Sequence, residues 1–183
     1  MTLPVIVYDV YIDWDATDWR DTPTFAGTDD ITDYVKNMSI VRGKDQEAGN
    51  MLAGTLNIEV NNSSKNFSPP YAAGDYYGKI RPYLPVRVRA TVDGGASLTI
   101  YTGFISRIKV NPHLDSPIAN IYCVDGMDLL ARNMVTQNED DTEIMNDGQA
   151  VGKVLDAAGW PVGKRTIDVS GSDILKYPMT VEF

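Results

Sequence analysis

The stretch Pro85-Val86-Arg87-Val88-Arg89-Ala90-Thr91-Val92-Asp93-Gly94-Gly95 decides how this chain is read. Val86, Val88, Ala90 and Val92 alternate with Arg87, Arg89 and Thr91, the period of two that sets one face of a strand on a core and the other in water. Asp93-Gly94-Gly95 follows, a trio that tolerates the positive φ angles of a tight hairpin turn. The next run, Ser97–Val110, opens with Leu98 and Ile100 on one face and meets Gly103, where a bulge or sharp bend is expected. Working outward, Gly54–Asn62 sets Leu56, Ile58 and Val60 against Thr55, Asn57, Glu59 and Asn61. Val5–Trp14 carries Ile6, Tyr8, Val10, Ile12 and Trp14 on one face, with Asp9 and Asp13 on the other. Ile118–Val124 follows the breakers Asn111-Pro112 and Ser116-Pro117, and Met179–Phe183 reads as a further strand. Half-buried antiparallel strands joined by short turns predict a mainly-β fold, a barrel or sandwich.

Helical signals are fewer. Asp125 is placed to cap a short helix through Asn133 that buries Leu129 and Leu130. From about Asp147 to Ala158, Val151, Val154, Leu155 and Ala158 follow helical spacing, and Gly159 with Trp160-Pro161 ends the run. Trp14–Asp30 and Asn61–Gly78 are rich in Gly, Pro, Asn and Asp and read as loops. Asn138–Asp147 is a polar, acidic linker. The expected organisation is a β-barrel domain over 1–137, then a linker, a helix and the start of an α+β second domain over 138–183. A chain that stops in mid-pattern is expected to be a fragment, or to complete its sheet with a partner.

The 183 residues, 43% hydrophobic and 22% charged, belong to a folded chain long enough to build a core without staples. A single cysteine, Cys123, excludes an internal disulfide framework and any Cys-rich zinc site. No apolar run approaches the roughly 20 residues of a membrane-spanning helix. The leading patch Leu3 to Val10 lacks a basic leader and contains Asp9, so it does not read as a signal peptide. Charge is uneven: residues 1–33 hold eight Asp against one Arg, residues 34–110 hold ten Lys/Arg against five acids, and residues 111–183 hold five Lys/Arg against twelve acids. Acidic ends around a basic middle suit docking between copies of one chain better than a grip on nucleic acid, which needs a net positive face.

Reactive constellations are sparse. Any Ser–His–Asp or Cys–His machinery must use the lone His113, which sits in a turn-rich loop, and no nucleophile elbow is present. Cys123 reads as a small core residue. Neither a phosphate-binding P-loop nor a dinucleotide turn occurs. Asp13-Trp14-Asp15-Ala16-Thr17-Asp18 starts with calcium-loop spacing, but Asp18 stands where that loop needs Gly and Thr24 where it needs the bidentate Glu. Glu139-Asp140-Asp141-Thr142-Glu143 reads as solvated linker. No cofactor, metal or catalytic residue is therefore assigned. Trp19 and Phe25, aromatic residues in a loop, are candidates for gripping a partner, or for stacking on a sugar in an alternative reading as a carbohydrate-binding β-module. Outward-facing Arg87 and Arg89 are candidates for meeting acidic groups of a neighbouring subunit.

Asp30-Ile31-Thr32-Asp33-Tyr34-Val35, then Ile40-Val41-Arg42-Gly43, Ala53-Gly54-Thr55-Leu56-Asn57-Ile58, Asn61-Asn62 and Phe67-Ser68-Pro69 form an ordered series. It continues with Leu84-Pro85-Val86-Arg87-Val88, Thr102-Gly103-Phe104-Ile105 and Ile121-Tyr122-Cys123-Val124-Asp125-Gly126. Over roughly residues 5–175 this order resembles the N-terminal part of minor tail and baseplate hub proteins of tailed bacteriophages and prophages. The later segment Gly148–Trp160, with Ile167-Asp168 beyond it, resembles the opening helix of that family's second hub domain. The resemblance implies a tail-tube-like β-barrel with a flanking helix, without catalytic residues, assembled as a ring, commonly a trimer, at the tail tip. It implies a virion component, made in the bacterial host cytoplasm, that joins the tail tube and distal tail to tip or fibre proteins. Tape-measure protein and DNA would pass through the ring without specific binding. Hubs of this kind usually continue well beyond 183 residues.

Overall fold

The computed structural model describes residues 3–44, 51–111, 117–132, 145–168 and 173–174. They divide into two compact units, Met1–Leu129 and Leu130–Phe183. The boundary expected at 137/138, His113, the acidic run 139–143 and the closing strand 179–183 all lie outside the described residues.

The first unit is one antiparallel sheet of six strands: β1 (Ile6–Ile12), β2 (Val35–Lys44), β3 (Met51–Asn61), β4 (Pro85–Val92), β5 (Leu98–Asn111) and β6 (Ile118–Val124). Their spatial order is β1-β4-β5-β6-β3-β2, so the sheet is a curled half-barrel with β1 and β2 as its two edges. The mainly-β fold expected from strand periodicity, with short helices, is what the structure shows. The deciding stretch behaves as its pattern dictates. Val86 and Val88 are buried, Asp93 and Gly94 both have positive φ, and the Gly95 N–H closes the turn on the Val92 carbonyl at 2.9 Å.

Cross-strand register gathers the apolar positions on the concave face. Val10, Ile12, Val86, Val88, Ile105, Ile121, Cys123, Leu56, Ile58 and Val60 are all essentially inaccessible there. The two loops close one end of this core. Trp14 stacks on Tyr76 with ring centroids 4.1 Å apart, and Phe67 packs edge-on against Tyr34. The long connection from β3 to β4 is ordered by turns three residues apart: Lys65, Ser68, Tyr71, Gly74 and Tyr77 each donate a main-chain N–H to the carbonyl three residues earlier. Asn62 anchors the start of this path, its Oδ1 accepting the Phe67 N–H and its Nδ2 donating to Ser68 Oγ.

Two expectations need correction. Gly103 is not a bend, because it pairs regularly with Val86 inside an unbroken 14-residue β5. The register shifts fall on either side of it, between Val88 and Arg89 on β4 and between Ile105 and Arg107 on β5. What requires glycine is close approach: a Cβ would lie 2.6 Å from Tyr101 Oη and closer still to the Val124 carbonyl oxygen. Second, β2 forms where the sequence reading assigned no strand. Its register shift between Val35 and Asn37 breaks the period of two that would have revealed it.

Short helix α1 (Gly126–Arg132) begins after Asp125, whose Oδ1 accepts the Met127 N–H at 3.0 Å. The other carboxylate oxygen accepts the Gly54 N–H at 2.6 Å, so one side chain starts the helix and ties it to β3. In the second unit, helix α2 (Asp147–Ala157) opens on a reciprocal cap between Asn146 and Gln149 and ends before Gly159, which has positive φ. Ala158 is buried and Val154 and Leu155 half-buried, but Val151, expected on the same face, is exposed. A two-residue ladder pairs β7 (Met145–Asn146) with β8 (Asp173–Ile174).

Candidate functional site

The acidic segment after β1 uses its carboxylates to hold its own backbone. Asp13, 2% exposed, accepts the Ala16 N–H at 3.0 Å through Oδ1 and the Thr24 N–H at 2.9 Å through Oδ2. Asp21 accepts the Thr17 N–H and Oγ1–H, both at 2.6 Å. Asp29, 3% exposed, accepts the Ala26 N–H at 2.7 Å. The partial calcium-loop spacing at Asp13 thus serves amide capture. Among the described residues no group of three or more His, Cys, Asp or Glu side chains is arranged to hold a metal ion.

Burial raises the Asp29 carboxyl above its ordinary value, and the Asp13 and Asp15 charges add to the rise against the Ala26 and Trp14 amide bonds. A raised folded-state pKa means that the fold binds this proton more tightly than the unfolded chain does. The ionised carboxylate therefore weighs against folding at neutral pH, and that penalty fades as pH falls through the raised value. Relative to Asp29→Asn, the wild-type chain is expected to gain stability between pH 7 and pH 4, read by urea unfolding at each pH.

Charges of opposite sign already meet within the chain. Lys79 Nζ lies 2.6 Å from Asp15 Oδ1, and Arg81 donates to the Ala16 carbonyl, joining the loop before β4 to the acidic loop. Arg87 and Phe25 come together on the convex face. The Arg87 guanidinium sits 4.2 Å from the Phe25 ring centre and 5.2 Å from that of Tyr11, its cross-strand neighbour, while its buried Nε has no hydrogen-bond partner. Arg89 stands opposite Asp9 in the β1–β4 register. Trp19 is placed elsewhere: it is 9% exposed, edge-on to Phe104, with Arg20 over its ring. Both aromatic candidates therefore pack against partners in their own chain. Arg107 covers Tyr122 in a similar cross-strand pair that sequence reasoning did not single out. An arginine directly opposite a tyrosine on two neighbouring strands is the signal that finds it.

Cys123 lies on the concave face, and burial pushes its thiol well above the ordinary range. The thiolate is the reactive form, so the group is chemically quiet. A thiol reagent at pH 8 is expected to leave the native chain unmodified and to label it once in denaturant, as intact-mass measurement would show.

An exposed feature of the first unit is its open seam. A groove of about 550 Å3 lies between the two edge strands, lined by Tyr8 and Val10 of β1, Val35 to Met38 and Ile40 of β2, Thr32, and Ile100. One end of the seam is fastened. Ile31 donates its N–H to the Val10 carbonyl at 2.9 Å, and Thr32 Oγ1 accepts the Val10 N–H at 2.9 Å. Above that fastening no described strand pairs with this edge of β1, and Ile6, Val7 and Tyr8 are 48%, 52% and 44% exposed, with Leu3 and Val5 more so. Edge strands of isolated domains are normally blunted by charge or covered. Between Leu3 and Tyr8 there is no charge at all.

No family model matches the chain, and no curated protein matches it. Among solved structures, it is similar to a tail protein from Neisseria meningitidis MC58, at 13% identity and a TM-score of 0.49, covering 95% of this chain and 42% of that one. It is also similar to the 43 kDa tail protein of prophage MuSo2 from Shewanella oneidensis, at 12% identity and a TM-score of 0.45, covering 85% of this chain and 38% of that one. The chain thus spans less than half the length of either.

Proposed function

We propose that this chain is a non-enzymatic structural subunit of a bacteriophage tail, acting at the tail tip or baseplate hub through contacts with copies of itself and with adjoining tail proteins. The observation that carries the reading is the half-barrel with an uncharged, exposed edge in β1, a surface suited to covering by another chain. The ordered motif series supports it from the sequence. In space, three members of that series meet: Gly54 and Gly103 lie against Asp125 and Val124 at the end of β6, which explains their residue types by packing alone. Asp13, Asp21 and Asp29 bind backbone amides, and the candidate aromatics stack on their own chain.

In this role the subunits form a ring, and the tail tube, distal tail, tape-measure and fibre proteins are the neighbours. Exposed carboxylates, among them Asp30 and Asp33, give a lumen that repels passing DNA phosphates. Arg89 is the better placed of the two outward arginines to meet a neighbour, because Arg87 is held between Phe25 and Tyr11. Size-exclusion mass under native conditions, run beside a glycan-binding screen, tests the reading. A multiple of 20.2 kDa with no sugar binding is expected. Sugar binding or peptidoglycan turnover by the chain would contradict it.

A further inference from the structure

We infer that the groove between the β3–β4 connection and the β5–β6 arm receives an extended segment of an adjoining tail protein, one that carries an aromatic side chain beside a carboxylate. The inference rests on the structural-subunit reading above and assigns a contact with a different protein.

Two parts of the first unit enclose a groove of about 700 Å3. Lys65, Pro69, Pro70 and Tyr71 line it from the long connection, and Val110 and Pro117 from the end of β5 and the approach to β6. Sites for small ligands span roughly 300 to 1,000 Å3, so there is room for one large side chain and its flanking backbone. The two parts are tied together, because Asn62 donates its N–H to the Pro117 carbonyl at 2.8 Å. The walls are therefore mostly carbon: the three prolines have no N–H, and the Pro117 carbonyl is already engaged. An apolar ring gains most from such walls.

The charge beside these walls is positive. Asn61–Tyr71 contains Lys65 and no acid, and the same half of β5 as Val110 carries Arg107 and Lys109. None of the three makes an ion pair with a described residue. Lys65 Nζ lies 5.4 Å from the centre of the Tyr71 ring, so an incoming carboxylate meets the ammonium next to an aromatic.

Backbone geometry sets this pair in place before any ligand arrives. Lys65 has a φ of 61°, a left-handed conformation that favours glycine or asparagine, so what lysine contributes there is its side chain. The Lys65, Ser68 and Tyr71 N–H groups close successive turns on carbonyls three residues earlier. Gly74 lets the Tyr71 ring lie close, since a Cβ there would stand 3.3 Å from its Cδ1. Tyr71 is nevertheless 37% exposed. A fixed, exposed tyrosine among serines and asparagines is how protein-binding loops make contact at low entropic cost. Single-stranded nucleic acid also offers rings and anions, but it needs a positive track along its backbone, and this chain carries a net charge of −9.

TROSY spectra of the full chain labelled with 2H and 15N, titrated with short probes, test this. Acetyl-Glu-Phe-Glu-amide and 3-phenylpropionate are expected to give saturable shifts at the amides of Lys65, Ser68, Tyr71, Val110 and Asn111. Acetyl-Lys-Phe-Lys-amide and phenethylamine keep the ring and reverse the charge, and are expected to give none at the same concentration. Lys65→Met is expected to raise the Kd of the acidic peptide about fivefold, the effect of losing one exposed ion pair. Tyr71→Ser is expected to abolish the shifts, and Lys36→Met, on β2, to leave the Kd unchanged. All three side chains are exposed, and thermal melts check that each variant is folded. Equal binding of the cationic probes, tighter binding of hexathymidylate than of the acidic peptide, equal weakening by Lys65→Met and Lys36→Met, or no saturable shift overturns the assignment. The structural-subunit reading falls on a different result, sugar binding or turnover by the same chain.

Discussion

Trp14→Ala is expected to lower the stability of the first unit by about 4 kcal/mol, the range found for emptying a large aromatic site in a packed core. Trp14 is where the loop after β1 and the long loop before β4 meet. Its ring stacks on Tyr76, lies 6.2 Å from that of Phe67, and is 2% exposed, so its removal takes packing contacts from both neighbours. Loss of the ring also removes the wall on which Phe67 and Tyr76 rest, and the run of three-residue turns between them has few other apolar anchors. Urea unfolding followed by far-UV circular dichroism reads the effect, with Trp14→Phe as a control expected to lose less. An alanine variant within about 1 kcal/mol of wild type would show that the loops are not part of the cooperative core.

Gly103→Ala is expected to be nearly as damaging, about 3 kcal/mol, though it adds a single methyl group. The obstacle on one side is the Val124 carbonyl of the neighbouring strand and on the other the Tyr101 hydroxyl, itself buried without a hydrogen-bond partner. Backbone cannot step aside without parting β5 from β6, so the strain spreads along the pairs Phe104–Val124 and Ile105–Cys123. Tyr101→Phe removes the hydroxyl but keeps the ring carbon Cε1, 2.8 Å from the added methyl, and so relieves only part of the conflict. The double variant is therefore expected to be more stable than Gly103→Ala alone, a non-additivity that thermal melts of the four proteins would detect. Simple addition of the two single effects would contradict the packing argument.

Much of this architecture is legible in the sequence because burial on one face of a strand writes itself as alternation. β4, β5, β6 and β3 follow from Val86–Val92, Leu98–Val110, Ile118–Val124 and Leu56–Val60, and the hairpin turn follows from Asp93-Gly94. Alternation falls silent where the backbone changes step. At β2 the bulge after Val35 moves the inward positions to Met38 and Ile40, so the strand is invisible to a period of two. At β1 the pattern is correct but says nothing of exposure: Ile6 and Tyr8 have the same parity as buried Val10 and Ile12, yet lie beyond the loops that cover the core.

The surface is harder to read than the core. Trp19 and Phe25 share a loop, and composition treats them alike, but one is buried against Phe104 and the other covers Arg87. These contacts join positions roughly 60 to 85 residues apart, a separation that local patterns do not encode. Asp13 likewise carried a metal-like spacing whose true partners, the Ala16 and Thr24 amides, depend on how the loop closes. The open seam is a property of strand order, and strand order is set by pairings that no single segment contains.

Gold-labelled antibody raised against the chain, applied to tailed particles purified from the cells that carry its gene, tests the central claim most directly. A structural subunit of the tail is expected to place the label at the tail tip in electron micrographs, and the chain itself among the proteins of washed particles. Unlabelled tails together with particles lacking the chain would contradict the account.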